Sequence, residues 1–380
     1  MSSLKTSIYF ENKNERTILA IIMEKKQTMI GLMSGTSLDG LDIVCVSFLE
    51  SSNGDYDFEV HCSETIPYTN DFALRLANCS HLNAEAFCLI DRELSLYFAE
   101  SVNEFIIRNN INRSSITAVA SHGQTIFHQP EKGLTVQIGN HCSAAFRSEL
   151  TWVCDFRVQD VVLGGNGAPL VPIGDALLFK DKAAAFLNLG GFSNISFQYN
   201  NNWIAFDISP MNLVFNYFAR KNGKTYDRGG ELGRKGRLNN SLFEALNDLE
   251  YYKQIFPKSL GIEWLEKHFF SCLTNFENEN DIITSCYHHV AFQISKTLNE
   301  YELNSVFVTG GGAKNSYFIE LLESYYDGQI IIPENQIIEF KEAIIFAFLG
   351  LLKLQGKPNV LASVTGALND HSTGIVYNQF

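Results

Sequence analysis

Twice in its length this chain runs an apolar strand into a turn of small residues and out again into a second apolar strand. The first copy is 28–33 (TMIGLM), then Gly35-Thr36-Ser37, then 41–49 (LDIVCVSFL). The second is 183–199 (AAAFLNLGGFSNISFQY), pivoting on Gly190-Gly191-Phe192-Ser193. Such a hairpin is marginal alone and needs further strands and covering helices. Both are supplied each time. After the first hairpin come an alternating strand at 56–66, helical periodicity over 71–109 (Phe72, Leu76, Leu89, Ile90, Leu94, Phe98, Val102, Phe105) and a buried strand at 116–120. After the second come a strand at 203–208, a helix over 210–220 with Pro210 near its first turn, and an amphipathic helix at 286–299. A strand at 305–309, a glycine triplet at 310–312, a helix at 314–325, a strand at 329–332 and an apolar helix at 340–354 follow. Two βββαβα-like halves predict an α/β protein of two lobes with a cleft between them, and 380 residues exceed what one ordinary core holds.

The lobes are expected at 23–155 plus 356–380 (lobe I) and 156–355 (lobe II), with 1–22 a loose N-terminal extension. The apolar run 17–23 (TILAIIM) is short, follows Glu11 and Glu15, and meets no small-residue cleavage site before Lys25, so it makes a poor signal peptide. No apolar run reaches the length of about 18 residues that a membrane helix needs, so no membrane partner is expected. Lys plus Arg number 29 against 42 Asp plus Glu, a formal charge of −13 with no basic stripe, which argues against nucleic acid. An anionic substrate would need local positive charge or backbone N–H groups. The eight cysteines are scattered without a C-x-x-C pair and read as free thiols of a reducing, cytoplasmic compartment.

Four segments carry chemistry. In GLMSGTSLDGLD (31–42) the turn offers the N–H groups of Gly35, Thr36 and Ser37 and two hydroxyls, a nest suited to phosphate oxygens. Asp39 and Asp42 follow, a carboxylate pair of the kind that holds hydrated Mg²⁺ beside phosphate. The turn also reads as an ordinary hairpin with a capping aspartate. In VTGGGAKN (308–315) a strand ends in Gly310, Gly311 and Gly312 before a helix, which permits close approach of a ring or phosphate, or simply a tight turn. Gly223-Lys224-Thr225 is not a P-loop, since Phe218 stands where its first glycine belongs. In AFDISP (205–210) Asp207 ends a strand beside a helix start, placed for a general base or for an N-cap. SHGQT (121–125), with Asp155, Arg157 and Asp160 downstream, suits recognition of hydroxyl and acetamido groups, although a lone His and an acid-flanked Arg are more often structural. Glu342 is an outlier on an apolar helix, either facing solvent near its start or placed at a site.

Taken together, GLMSGTSLDGLD (31–42), SHGQT (121–125), TVQIGN (135–140), CDFRVQDVVLGGNGAPLVP (154–172), LNLGGFSN (187–194), FDISPMN (206–212), VTGGGAKN (308–315) and SVTGAL (363–368) resemble the anhydro-N-acetylmuramic acid kinase family, in family order. The resemblance implies a two-lobed actin-like ATPase (ribonuclease H-like) fold with ATP and Mg²⁺ in the interlobe cleft. It implies conversion of 1,6-anhydro-N-acetylmuramic acid, ATP and water to N-acetylmuramic acid 6-phosphate and ADP in peptidoglycan recycling, by a homodimer. Residue by residue, it places the ATP phosphates on Gly35, Thr36, Ser37, Leu38, Asp39, Gly40, Leu41 and Asp42. It places the nucleotide-side turn on Gly310, Gly311 and Gly312, the metal on Asp39, the catalytic carboxylate at Asp207, and sugar contacts at His122, Asp155, Arg157 and Glu342. Two segments depart from the family. FDISPMN replaces F-D-C-G-P-G-N and loses two glycines, and KSLGIE (258–263) replaces K-S-T-G-R-E, putting Ile262 where an arginine is expected. The alternatives are an ordinary hexose kinase of the same fold, and a nucleotide-switched binding protein without turnover.

Overall fold

The computed structural model describes residues 26–35 and 38–378; the extension expected over 1–22 and the turn residues Thr36 and Ser37 lie outside the described residues. The first sheet begins with an antiparallel meander of β1 (Gln27–Ser34), β2 (Gly40–Glu50) and β3 (Tyr56–Pro67). β4 (Ile116–Ser121) pairs parallel to β1. A small separate hairpin, β5 (Gln124–Gln129) with β6 (Leu134–Ile138), follows. β7 (Trp152–Cys154) then pairs parallel to β4. The second sheet repeats the plan: β8 (Ala185–Leu189), β9 (Phe192–Tyr199) and β10 (Asn202–Pro210) form the meander, and β11 (Ser305–Thr309) and β12 (Gln329–Ile331) add in parallel beside β8. The final strand, β13 (Ile375–Tyr377), returns antiparallel to β7. The strand orders are therefore β13-β7-β4-β1-β2-β3 and β10-β9-β8-β11-β12. Apart from β13, each is third, second, first, fourth, fifth, which is the ribonuclease H-like arrangement used twice, as in actin-like ATPases.

Burial explains the sequence patterns. β1 and β2 read as nearly continuous apolar runs because both faces are covered: Ile30, Leu32, Ile43 and Cys45 pack in one core with the helix Ala84–Arg108, and Met29, Val44, Val46 and Phe48 in another with the helix Asn335–Leu354. β3 is an edge strand whose burial alternates. Gly31 lets the 335–354 helix lie directly on β1, because a Cβ there would stand 2.0 Å from the Ala343 carbonyl oxygen. That helix packs against β1, β2 and β4 of the first sheet more than against β11 of the second, although the sequence places 340–354 in the second lobe. The second sheet has its own core with the helices Asn212–Lys221, Glu279–Glu300 and Ser316–Tyr325.

Several elements differ from the sequence reading. The 71–109 periodicity is two helices, Asn70–Ala77 and Ala84–Arg108, and the segment after β7 carries two short helices, Val158–Val162 and Pro172–Leu178. The apolar faces of the 279–300 and 335–354 helices are used within the cores of this chain. Among the described residues no helix is long and apolar enough to cross a membrane, and all eight cysteines are free.

Candidate active site

Between the sheets lies a cavity of about 1050 Å³. The first hairpin contributes Asp39 and Asp42 to its wall, and the second contributes Asn188 and Asn194. Asp207 comes from β10, Gly310 and Gly311 from the turn after β11, and Glu342 from the 335–354 helix. Arg157 and Asn166 stand on the segment after β7. Strand-end positions from both halves thus converge on one space, the usual site of binding in open α/β sheets.

Asp207 sits where β10 loses register with β9: it pairs with Asn194, and the ladder shifts before Ser209. Its Oδ2 accepts the Leu260 N–H at 2.8 Å, and its carbonyl oxygen accepts the Tyr251 hydroxyl at 2.6 Å. Among the described residues Oδ1 has no hydrogen-bond partner. Burial pushes the carboxyl pKa up from 3.8 to about 6, against the pull of the Leu260 N–H. Asp207 caps no helix, since the next one starts at Asn212 with Met211 at its N-cap. A carboxylate held near the working pH in a cleft is suited to accept a proton from water or a hydroxyl.

On the opposite wall, burial raises Asp42 to about 6 as well; the Thr65 hydroxyl, donating at 2.5 Å, opposes this, while Asp39, Glu342 and Glu339 add to it. The wall is therefore crowded with like charge, which a divalent cation would relieve. Mg²⁺ takes one or two carboxylates and completes its shell with water and phosphate oxygens. Asp39 and Asp42 fit that pattern. Among the described residues no group of three or more His, Cys, Asp or Glu could hold a metal by itself.

Arg157 is oriented by three contacts. Nε and Nη2 donate to His122 Nε2 at 3.0 and 2.8 Å, and Nη1 donates to the Gly167 carbonyl at 2.6 Å. The Gly123 carbonyl, 2.8 Å from His122 Nδ1, can only accept, so the proton is on Nδ1 and Nε2 is the acceptor. Burial and the adjacent guanidinium hold the imidazole neutral, with its pKa lowered to about 3. Burial also lowers Arg157 to about 10, while Glu342 and Asp160 oppose the shift. Glu342 is raised by burial and drawn down by Arg157 and Lys341.

Some expected contacts lie elsewhere. His122 is buried behind the wall, where it contacts two residues of the lining, Arg157 and Phe346, without lining the cavity itself. Asp155 is not on the lining: at the end of β7, with φ of 58°, its carboxylate is bonded by the Val158 N–H. Leu41 is fully buried in the core behind β2, and Gly40 is locked in the ladder opposite Pro67. The Leu38 N–H closes the first turn on the Gly35 carbonyl at 3.2 Å, and Leu38 packs on that same core. Gly312 is buried beneath the second turn, whereas Gly311 opens to empty space. The sequence reading missed Asn188, Asn194, Lys258 and Lys341 on the lining. The asparagines could have been found, since they stand in the second hairpin as Asp39 and Asp42 stand by the first. Lys258 heads the KSLGIE segment and Lys341 adjoins Glu342 on the apolar helix, so each stood beside a mark the sequence reading used for another residue.

The profile of a family described as anhydro-N-acetylmuramic acid kinase matches residues 27–379. The chain is 32% identical over 370 residues to the anhydro-N-acetylmuramic acid kinase of Francisella tularensis subsp. novicida, covering 91% of this chain and 97% of that one. It is 34% identical over 363 residues to that of Shewanella amazonensis, with 91% and 97% covered, and 33% identical over 368 residues to that of Bacillus cereus, with 89% and 95% covered. Matched along nearly all the described residues and along most of each relative, the chain belongs to the anhydro-N-acetylmuramic acid kinase family.

Proposed function

We infer that this chain is an ATP-dependent kinase that opens 1,6-anhydro-N-acetylmuramic acid with water and phosphorylates O6, giving N-acetylmuramic acid 6-phosphate and ADP in peptidoglycan recycling. The observation that supports the mechanism best is Asp207, a cavity carboxylate with a pKa near 6 and an unpartnered oxygen among the described residues. Asp207 takes a proton from water as the water oxygen bonds to the anomeric carbon. The bond from that carbon to O6 breaks, O6 bonds to the γ-phosphorus of ATP, and ADP leaves. The net release is one proton.

In this reading the turn after Ser34 and the glycines 310–312 hold the nucleotide, with Asp39 and Asp42 as the carboxylates for Mg²⁺. Mg²⁺ supplies charge neutralisation on the phosphates. Arg157 and Glu342 face the sugar, and His122 fixes Arg157. Gly40 and Leu41 serve as the strand that carries the turn, and Asp155 as a backbone brace. The lobes are divided near 155, with the returning C-terminal strand assigned to the first. The enzyme is a cytoplasmic homodimer, a state that sedimentation at micromolar concentration would test.

The deciding experiment compares ADP release with 1,6-anhydro-N-acetylmuramic acid and with free N-acetylmuramic acid. Turnover is expected with the anhydro sugar. Turnover with the free sugar alone would make the chain an ordinary amino-sugar kinase, and nucleotide binding without sugar-stimulated turnover would make it a switch.

A further inference from the structure

Behind the Arg157 wall lies a buried acid that the mechanism above does not use. Asp160, on the short helix Val158–Val162, is wholly buried. Its Oδ2 accepts the Gly167 N–H at 2.6 Å, and its Oδ1 accepts the Thr365 hydroxyl at 2.8 Å. His371 Nε2 lies 3.5 Å from the same Oδ1. Gly165 packs so closely on this carboxylate that a Cβ there would stand 2.3 Å from Oδ2.

The partners of Asp160 come from the far end of the chain. Thr365 and His371 are buried, and the Thr365 carbonyl accepts the Asn166 N–H at 2.8 Å. The Leu368 N–H donates to the Leu163 carbonyl at 3.1 Å. The C-terminal segment is itself anchored: Asn359 donates to the Leu349 carbonyl of the 335–354 helix at 3.0 Å and accepts the Thr373 N–H at 2.8 Å. Asn166, Ala168 and Pro169 of the clasped loop line the cavity, and so does Val364 beside Thr365. Gly167 is the junction. Its N–H goes to Asp160, and its carbonyl accepts Arg157 Nη1 at 2.6 Å.

We propose that Asp160 and Thr365 are positioning residues that fix the glycine-rich loop at 164–170 and, through Gly167, the guanidinium of Arg157, so that the C-terminal turn sets the shape of the sugar half of the cavity. The proposal rests on the reading of Arg157 as a sugar-side residue. Asp160 touches no substrate; it acts by holding Gly167, the residue whose N–H it accepts and whose carbonyl accepts Arg157. A neutral or shortened partner leaves the loop free to pull away from Arg157, which costs sugar affinity before it costs phosphoryl transfer.

The test is steady-state kinetics on the full chain for Thr365→Val, Thr365→Ser, Asp160→Asn and Arg157→Lys, each substrate varied in turn. Thr365→Val is expected to raise KM for the anhydro sugar about tenfold, the order for one lost buried hydrogen bond. Its kcat and its KM for ATP should stay within about twofold, and Thr365→Ser should restore the sugar KM, since the hydroxyl is what Asp160 accepts. Asp160→Asn should act in the same direction and more strongly; if it fails to fold, the Thr365 pair decides. Equal KM values for the Val and Ser variants overturn the proposal, as does an equal rise in KM for ATP, or a lowered melting temperature with unchanged kinetics. If Arg157→Lys raises the sugar KM and Thr365→Val does not, the latch falls and the sugar-side reading stands. If Arg157→Lys leaves the sugar KM unchanged, that reading falls and the latch falls with it.

Discussion

Asp207 gains its basicity from burial at a break in register, and that makes two separable predictions. Asp207→Asn keeps the size of the side chain and an oxygen for the Leu260 N–H but cannot take a proton. Loss of a general base typically costs about 10²–10⁴ in rate. Here kcat should fall at least that far, while ATP binding, measured by titration, persists; turnover within tenfold of the parent would remove Asp207 from the mechanism. Because the base must be deprotonated, and its pKa is raised to about 6, kcat/KM should fall as pH drops through about 6 rather than through 4. Stability runs the other way. A carboxyl whose folded pKa lies above its unfolded value favours folding below the unfolded pKa, and the favour is lost as pH rises through about 6. The charged side chain therefore burdens the fold at pH 8 by roughly 3 kcal/mol. Asp207→Asn should melt higher than the parent at pH 8 and equally at pH 4; a lower melting temperature at pH 8 contradicts the burial argument. The acid at a strand end was legible in the sequence. Its partner Leu260, in a segment 53 residues on, was not, because no local pattern announces a contact of that separation.

Hairpins, turns and the long apolar helix follow different rules of legibility. The two strand–turn–strand units were readable because doubly covered strands are long apolar runs bounded by small residues. The β5–β6 hairpin and the short helices at 158–162 and 172–178 were not, because one or two turns give too few residues for a period to emerge. The glycine turn after β11 can be tested as an element. Gly310 has φ of 82° and Gly312 is packed under Leu189 and Met211, so substitutions there would disturb the turn itself. A Cβ at Gly311 would meet no heavy atom within 4 Å. Gly311→Val should therefore leave the melting temperature within about 1 °C while raising KM for ATP by about 10–100-fold, the penalty of a nucleotide displaced by an ångström or so. The sugar KM should be unaffected. A normal KM for ATP would place the nucleotide away from this turn.

For the whole molecule, the two-lobed plan was visible from the repeated hairpin, but the place of the 335–354 helix was not. A helix that is apolar all round carries no record of which sheet it will cover. It lies on the first sheet, and from it Lys341 reaches toward the second. The Lys341 ammonium is 2.6 Å from Asp175 Oδ1, with both side chains buried, and Asp175 Oδ2 accepts the Ser196 hydroxyl of β9 at 2.5 Å. The rings of Phe179, Phe186 and Phe307 stand 5.3–5.9 Å from the ammonium, the last two on strands of the second sheet. This cluster joins the two halves at the base of the cleft. Removing one member of such a pair strands a charge in a dry setting, which typically costs about 3–5 kcal/mol, whereas replacing both with neutral groups of similar size is often nearly neutral. Lys341→Met should therefore lower the denaturant midpoint strongly. Lys341→Met combined with Asp175→Asn should recover much of the loss, because the amide still accepts from Ser196 and leaves no charge behind. The coupling is read from the cycle of two single variants and the double variant at pH 7. If the double variant loses as much as the two singles added together, the ion pair does not join the halves, and the aromatic contacts around it carry the joint instead.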